Sequence, residues 1–301
     1  MTAPTLEADL LLDARADLGE GPIWHADRQQ VSWVDLYAGR VNWLALDGTA
    51  GPPDDVGRRV GCAVPTADGA LMLGTDQGFA RLDETGLHDV AEIESAVDSF
   101  LNDGKCDALG RFWAGTVGVG DDGLAVPNGG ALYRLEPDGS VTTYLPETTL
   151  SNGMDWSPDG ATFYYIDSST ATIDAFDFDL PTGELSRRRP VVDIPKEDGF
   201  ADGLCVDSDG CIWTAVWGAS EVRRYTPQGA LDQTVRVPVT QPTSCVFAGD
   251  QLDVLVITSA SRHLDPAEHA RQPHAGSVFC VRPGVSGQPI HACAAVGPHT
   301  P

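Results

Sequence analysis

Short runs of apolar and aromatic residues, each preceded by a turn signal, recur along the whole chain. The six turns are Asp27-Arg28, Asp68-Gly69, Leu109-Gly110, Asp159-Gly160, Asp209-Gly210 and Gly249-Asp250. Leu71-Met72-Leu73 follows the second of them, and Ile212-Trp213-Thr214 follows the fifth. The glycines of the last five turns lie 39 to 50 residues apart. A repeat of this length is typical of propeller blades, so the pattern predicts six similar units.

Each unit also contains a second short strand that ends in another turn. Residues 130–135 lead into Pro137-Asp138-Gly139, and residues 222–225 lead into Pro227-Gln228-Gly229. Short strands that alternate with tight glycine turns predict antiparallel sheet. Six such units that close radially protect their sheet edges and leave a central channel. We therefore predict an all-β, six-bladed β-propeller that spans residues 1–301 as a single domain, with a β-sandwich as the alternative.

Signals for other architectures are weak. Helical periodicity is confined to residues 265–271, which are predicted to form a short helix. Gly118, Gly120 and Gly123 match a dinucleotide-binding spacing, but a loop rich in glycine and proline follows them where that motif requires a helix. Tryptophans at 33, 113 and 213 recur at one phase of the repeat and are predicted to pack between blades.

The net charge and the cysteines of the chain limit which binding partners and which cellular location are expected. A net charge of −25 disfavours nucleic acid and anionic membranes, which leaves a small-molecule substrate and a monomer or small homo-oligomer. Residues 1–20 lack the features of a secretory signal peptide, so a cytoplasmic location is predicted. The seven cysteines are expected to be free thiols, although Cys205 and Cys211 flank a turn and could face each other.

Acidic and amide residues occupy glycine-containing turns at nearly the same phase of four repeats. They are Glu20, Asn102 with Asp103, Asn152, and Asp202. Equivalent positions of successive blades point toward one axis, so these side chains are expected to converge. An oxygen-rich cluster suits a divalent cation. Asn-Gly and Asp-Gly pairs are also common turn formers, which leaves a purely structural role open for each pair taken alone.

Three segments carry a specific family resemblance. Residues 18–24, 102–116 and 151–160 resemble the signatures of the SMP30/gluconolactonase/luciferin-regenerating-enzyme family, and the resemblance extends over nearly the whole chain. It implies a six-bladed propeller with one divalent metal ion in its channel and, as the usual activity, hydrolysis of sugar lactones. The identity of the metal among Ca²⁺, Zn²⁺, Mn²⁺, Mg²⁺ and Fe²⁺ stays open.

The same resemblance assigns roles to individual residues. It implies that Glu20, Asn152 and Asp202 hold the metal and that Asn102 contacts the substrate. Asp202 is then the candidate general base. Asp103 is expected to fix its turn.

Two aromatic residues are predicted near the substrate. Phe100 stands where sugar lactonases of the family usually carry arginine, which favours a less hydroxylated substrate. Trp24 is the second predicted substrate contact, and Trp217 and His25 are further candidates near the mouth of the channel. Two alternatives to lactone hydrolysis remain: another metal-assisted reaction on a less polar substrate, and a non-catalytic calcium-binding regulatory protein.

Overall fold

A computed structural model describes residues 3–95 and 97–294, which form 25 β-strands in six sheets together with one short α-helix. In chain order the strands are β1 (Thr5–Glu7), β2 (Asp9–Leu12), β3 (Gly19–His25), β4 (Gln30–Asp35), β5 (Arg40–Leu44), β6 (Asp54–Asp55), β7 (Val60–Pro65), β8 (Leu71–Thr75), β9 (Gly78–Asp83), β10 (Gly86–Glu92), β11 (Asp98–Cys106), β12 (Phe112–Val119), β13 (Gly130–Leu135), β14 (Val141–Thr148), β15 (Ser151–Trp156), β16 (Thr162–Asp167), β17 (Thr172–Asp179), β18 (Glu184–Asp193), β19 (Phe200–Val206), β20 (Ile212–Trp217), β21 (Glu221–Tyr225), β22 (Leu231–Arg236), β23 (Pro242–Ala248), β24 (Val254–Ser259) and β25 (Val278–Val281).

The sheets are the blades of a closed six-bladed propeller. Each contains an antiparallel run of strands that starts from an innermost strand, and the innermost strands of blades 1 to 6 are β3, β7, β11, β15, β19 and β23. Every innermost strand contacts that of the next blade, and β23 returns to β3, so the ring is complete. The predicted all-β propeller is confirmed.

The ring is closed by the N-terminal strands. Strand β2 pairs antiparallel with β25 and becomes the outer strand of blade 6, whose other strands come from the C-terminal part of the chain. Strand β1 runs parallel to β22 and adds a fifth strand to blade 5. The two N-terminal strands thus cover the outer edges of β22 and β25, which would otherwise be open to pairing.

Aromatic side chains fill the spaces between blades. Trp113 of blade 3 is fully buried and lies 5.6 Å, between ring centroids, from Phe163 of blade 4. Trp213 of blade 5 meets the ring of Phe247 in blade 6 edge to face at 5.7 Å. Trp33 is likewise buried against residues of blade 6. The predicted packing of these three tryptophans between blades is confirmed.

Two buried aspartates tie the blade turns to these tryptophans. Asp207 accepts hydrogen bonds from Trp213 Nε1 at 2.8 Å and from Arg224 Nε at 2.7 Å. Its other oxygen accepts from the backbone N–H groups of Asp209 and Cys211. Asp107 does the same for Trp113 in blade 3. Each carboxylate therefore connects a hairpin turn, a tryptophan and the next strands of its blade.

The single α-helix of the described residues, α1 (Pro266–Arg271), falls where the sequence predicts it. Asp265 caps it by accepting hydrogen bonds from the backbone N–H groups of Ala267 and Glu268. Within the described ranges, no helix has both the length and the apolar character that crossing a membrane requires.

All seven cysteines lie in the described part of the chain and are free thiols, as predicted. Cys205 does not face Cys211 across the hairpin. Its Sγ lies 3.7 Å from Sγ of Cys245 on the innermost strand of the next blade. The alternation of side chains along a strand explains this placement, because Cys205 points into the space between blades 5 and 6.

The segment after β25 crosses one end of the channel, which we call the lower end. Gly287 pairs with Asp207, and Cys293 pairs with Thr66. Between them the side chain of Gln288 donates hydrogen bonds to the carbonyls of Trp156 and Val206 at 3.0 and 3.2 Å. Because these carbonyls belong to the innermost strands of blades 4 and 5, the segment covers the lower end.

Near the lower end of β3, a buried histidine predicts a pH-dependent stability. His25 hydrogen-bonds Ser32 Oγ at 2.8 Å and packs on Trp43, and burial, assisted by Arg28, lowers its pKa to about 4. Because this value is below that of the unfolded chain, stability is lost as pH falls from about 6.5 toward 4, by up to roughly 3 kcal/mol.

Urea unfolding of the wild type and of His25→Gln at pH 7 and pH 4.5 measures this loss. We expect the difference in free energy of unfolding between the two proteins to shift in favour of His25→Gln at the lower pH. The exposed His269→Gln serves as the control and should show no such shift. A pH-independent difference between wild type and His25→Gln would contradict the prediction.

Candidate active site

The innermost strands all leave their regular pairing at the same level of the channel. The register shifts lie between Glu20 and Ile23, Val60 and Cys62, Leu101 and Asp103, Ser151 and Met154, Ala201 and Leu204, and Pro242 and Ser244. Such bulges turn a side chain away from the direction that regular alternation would give it. Four of the six bulges contain or begin at a polar residue singled out by the sequence.

These four residues line one cavity. Glu20, Asn102, Asn152 and Asp202 share a space of about 320 Å³ with the hydroxyl of Ser168. They come from blades 1, 3, 4 and 5, and more than thirty residues separate each from the next in sequence. The structure therefore brings together the three predicted metal ligands and the predicted substrate contact.

Asn152 is held in one orientation. Its Nδ2 donates to Ser168 Oγ at 3.1 Å, and that hydroxyl donates in turn to the carbonyl of Ala201 at 2.6 Å. This arrangement leaves Asn152 Oδ1 buried with no hydrogen-bond partner anywhere in the described residues. Because buried acceptors are nearly always satisfied, an orphaned amide oxygen in a polar cavity indicates a ligand.

The two carboxylates of the cavity are buried close to one another. Glu20 and Asp202 are only 5% and 7% exposed. Burial raises the pKa of Glu20 well above its usual value, and the charges of Asp202 and Asp103 raise it further. Burial likewise raises the pKa of Asp202, with Asp103 adding to the effect. Both ionised forms are therefore destabilised unless a cation compensates them.

Asp103 adds negative charge next to the cavity while holding its own turn. Its Oδ1 accepts a hydrogen bond from the Gly104 N–H at 2.7 Å, which supports the turn role. Burial raises its pKa, and the Lys105 ammonium opposes that rise. Lys105 Nζ is itself bound to Asp155 Oδ2 at 2.9 Å and to the Leu204 carbonyl at 3.2 Å. The Lys105 ammonium is thus already paired.

Apolar side chains form a ring above the polar residues. Leu18, Phe100, Leu150 and Phe200 all line the cavity, and we call them the apolar collar. Each stands two positions before a polar residue of the site, in the pairs Leu18 with Glu20, Phe100 with Asn102, Leu150 with Asn152, and Phe200 with Asp202. Leu18 and Leu150 directly precede β3 and β15, and Phe100 and Phe200 lie within the first three residues of β11 and β19, so the collar borders the polar residues at the start of the innermost strands.

Loops supply the rest of the wall. Tyr37, Leu124 and Trp217 contribute apolar surface, and Arg262 and His263 also line the cavity. The guanidinium of Arg262 lies 3.6 Å from the centroid of the Tyr37 ring and donates to Asp17 at 2.7 Å. Among these residues only Trp217 was a candidate from the sequence. The others converge through the paths of loops, which the repeat pattern does not specify.

Trp24, the second predicted substrate contact, does not line the cavity of the four polar residues. Trp24 is buried and packs with Val31 and Trp33 in the core between blades 1 and 6. It lies four residues beyond Glu20 on the same strand, a distance of about 13 Å toward the lower end. There it borders a different cavity together with His25. Trp24 and His25 are therefore distant from the four polar residues.

The chain matches known proteins over most of its length. Residues 18–261 match the family described as SMP-30/Gluconolactonase/LRE-like region. Regucalcin from Danio rerio is 37% identical over 293 residues, covering 96% of this chain and 98% of that protein.

Solved structures give the same result. A calcium-binding protein, regucalcin, from Agrobacterium tumefaciens superposes with a TM-score of 0.90 at 26% identity, covering 98% of this chain and all of that one. A luciferin-regenerating enzyme superposes with a TM-score of 0.86 at 29% identity, covering 94% of this chain and 97% of that one. The chain belongs to the SMP-30/gluconolactonase/LRE-like family.

Proposed function

We propose that the protein hydrolyses lactones with the help of one divalent cation held by Glu20, Asn152 and Asp202. The observation that carries the proposal is the orphaned Oδ1 of Asn152, which lines the same cavity as the two buried carboxylates and has no partner within the described residues. A cation would satisfy this oxygen and balance the charge of the carboxylates. The family name, which includes gluconolactonase, supports the choice of reaction.

The donor set fits a hard or borderline divalent cation. Two carboxylates and one neutral amide bring the total charge of the site close to zero and leave positions for water and substrate. Within residues 3–95 and 97–294, no three His, Cys, Asp or Glu side chains form a metal-binding group, so the amide is essential to this hypothesis. When bound, a divalent cation polarises a carbonyl and stabilises negative charge on its oxygen.

The protein's own groups perform the proton transfers in this proposal. The carboxylate of Asp202 accepts a proton from the water that attacks the lactone carbonyl carbon. The same proton then passes to the ring oxygen as its bond to that carbon breaks, and the product is a hydroxy acid. Asn102, fixed by its Nδ2 bond to the Ser151 carbonyl at 2.8 Å, orients the substrate.

Calcium binding without catalysis is the second candidate. The names of the relatives favour it, since one solved structure is called a calcium-binding protein and several relatives are called regucalcin. This candidate uses the same donors and predicts tight Ca²⁺ binding with no turnover. An assay of lactone turnover on the metal-loaded protein therefore distinguishes the two candidates.

Metal removal and replacement tests the proposal. Hydrolysis of δ-valerolactone is followed by acid release, first with chelator-treated protein and then after single divalent metals are added back. We expect no activity without metal and recovery with at least one of them. Asn152→Leu, which keeps the size of the side chain but lacks Oδ1, should lose both the metal and the recovery. Activity that survives chelation would contradict the proposal, and bound Ca²⁺ with no turnover under any metal would favour the second candidate.

A further inference from the structure

We infer that the substrate is a lactone with an apolar substituent, and that the apolar collar binds this substituent directly above the reacting carbonyl. The inference rests on the proposed function and names its substrate class. Glu20, Asn102, Asn152 and Asp202 form the polar cluster of the cavity, and Ser168, Arg262 and His263 add polar groups to its wall. Two positions before each of the four residues of this cluster the chain is apolar, and all four apolar side chains line the cavity.

Phe100 makes the collar rigid on one side. It is 4% exposed, and Tyr37 meets its ring edge to face at 6.1 Å between centroids. The Arg59 guanidinium lies 5.1 Å from the centroid of the Phe100 ring and is held by Asp76 and Asp98. The position is therefore a packed apolar wall with its neighbouring charges already neutralised.

The collar offers no hydrogen-bond partner to a hydroxylated substrate, and the polar groups of the remaining wall belong to Tyr37, Ser168, Trp217, Arg262 and His263. The four collar side chains neither donate nor accept hydrogen bonds. Arg262, the arginine of the cavity wall, is engaged by Asp17 and stacks on Tyr37. Each sugar hydroxyl placed against the collar would lose its bonds to water without replacement, which weakens binding by about tenfold or more per hydroxyl. An alkyl or aryl substituent gains from the same burial.

Phe200 offers a position where the collar can be changed without harm to the core. Its side chain is 43% exposed, at the entrance of the cavity, so a polar substitution leaves the blade packing intact. Leu231 on β22 of the same blade is 47% exposed and is not part of the cavity lining. Phe200→Gln and Leu231→Gln are therefore a matched pair.

Hydrolysis-resistant lactams separate binding from turnover. Calorimetry on the metal-loaded protein compares three six-membered lactams, which are unsubstituted, pentyl-substituted or polyhydroxylated. We expect the pentyl lactam to bind at least about tenfold more tightly than the unsubstituted one, and the polyhydroxylated lactam to bind most weakly. Phe200→Gln should reduce the advantage of the pentyl group several-fold, whereas Leu231→Gln should retain it.

The outcomes distinguish this inference from the proposed function. Equal binding of the three lactams, tightest binding of the polyhydroxylated one, or an unchanged pentyl advantage in Phe200→Gln would overturn the inference. Lactone hydrolysis with a preference for polyhydroxylated rings would also overturn it while leaving the hydrolase proposal in place. Preferential binding of the pentyl lactam, with no hydrolysis of any lactone, would support the apolar collar and reject the hydrolase.

Discussion

Asp202→Asn is expected to lower metal-restored lactone hydrolysis by about 10²–10⁴-fold. Asparagine has the size of aspartate and fits the bulge of β19, but it carries no negative charge for the cation and cannot take a proton from water. The expected loss therefore appears both in kcat/KM and in the metal affinity measured by calorimetry. A residual activity above about one tenth of wild type would remove Asp202 from the mechanism.

Stability measurements separate a catalytic loss from a folding defect in this variant. The neutral amide removes the repulsion of position 202 with Glu20 and Asp103, because in the wild type the charge of Asp202 helps to raise the pKa of Glu20 and the charge of Asp103 helps to raise that of Asp202. Metal-stripped Asp202→Asn should therefore be at least as stable as the metal-stripped wild type. Asp198→Asn makes the same change in charge at an exposed position of the same approach to blade 5, and it should retain full activity.

The sequence predicts the fold well because blade signals are local. Each blade needs only a turn glycine and two or three short apolar runs, all within 39 to 50 residues, and these are visible without any knowledge of distant contacts. The closure of the ring is different. Pairing of β2 with β25 joins residues more than 260 positions apart, and neither strand carries a signal that names its partner.

In the candidate site, too, residues with a local sequence signal could be predicted, and residues that depend on distant contacts could not. Glu20, Asn102, Asn152 and Asp202 could be found because each lies in a glycine turn at one phase of the repeat. The apolar collar could also have been found, since each of its members stands two positions before one of these polar residues in the sequence. Trp24 lies outside the cavity although it is near Glu20 in sequence, because the strand carries the chain away along the channel wall. Tyr37 and Arg262 depend on loop paths and had no such signal.

Asp207→Ala is expected to destabilise the protein by about 3–5 kcal/mol. The carboxylate of Asp207 has no exposed surface, and it accepts hydrogen bonds from Trp213 Nε1, from Arg224 Nε and from two backbone N–H groups. Alanine leaves all four donors buried without their acceptor, and it removes the link between the turn of blade 5 and the tryptophan that packs against blade 6.

Asp209→Ala provides the matched control because both carboxylates bind the same arginine. Asp209 contacts Arg224 Nη2 at 3.0 Å but has a side chain that is 63% exposed, so its removal should cost less than about 1 kcal/mol. Urea unfolding of the two variants beside the wild type measures the difference. If burial determines how much each ion pair contributes to the free energy of unfolding, Asp207→Ala loses several times more stability than Asp209→Ala. Equal losses would show that Arg224 is held by the sum of its partners, and that the buried aspartate is not the anchor of the blade.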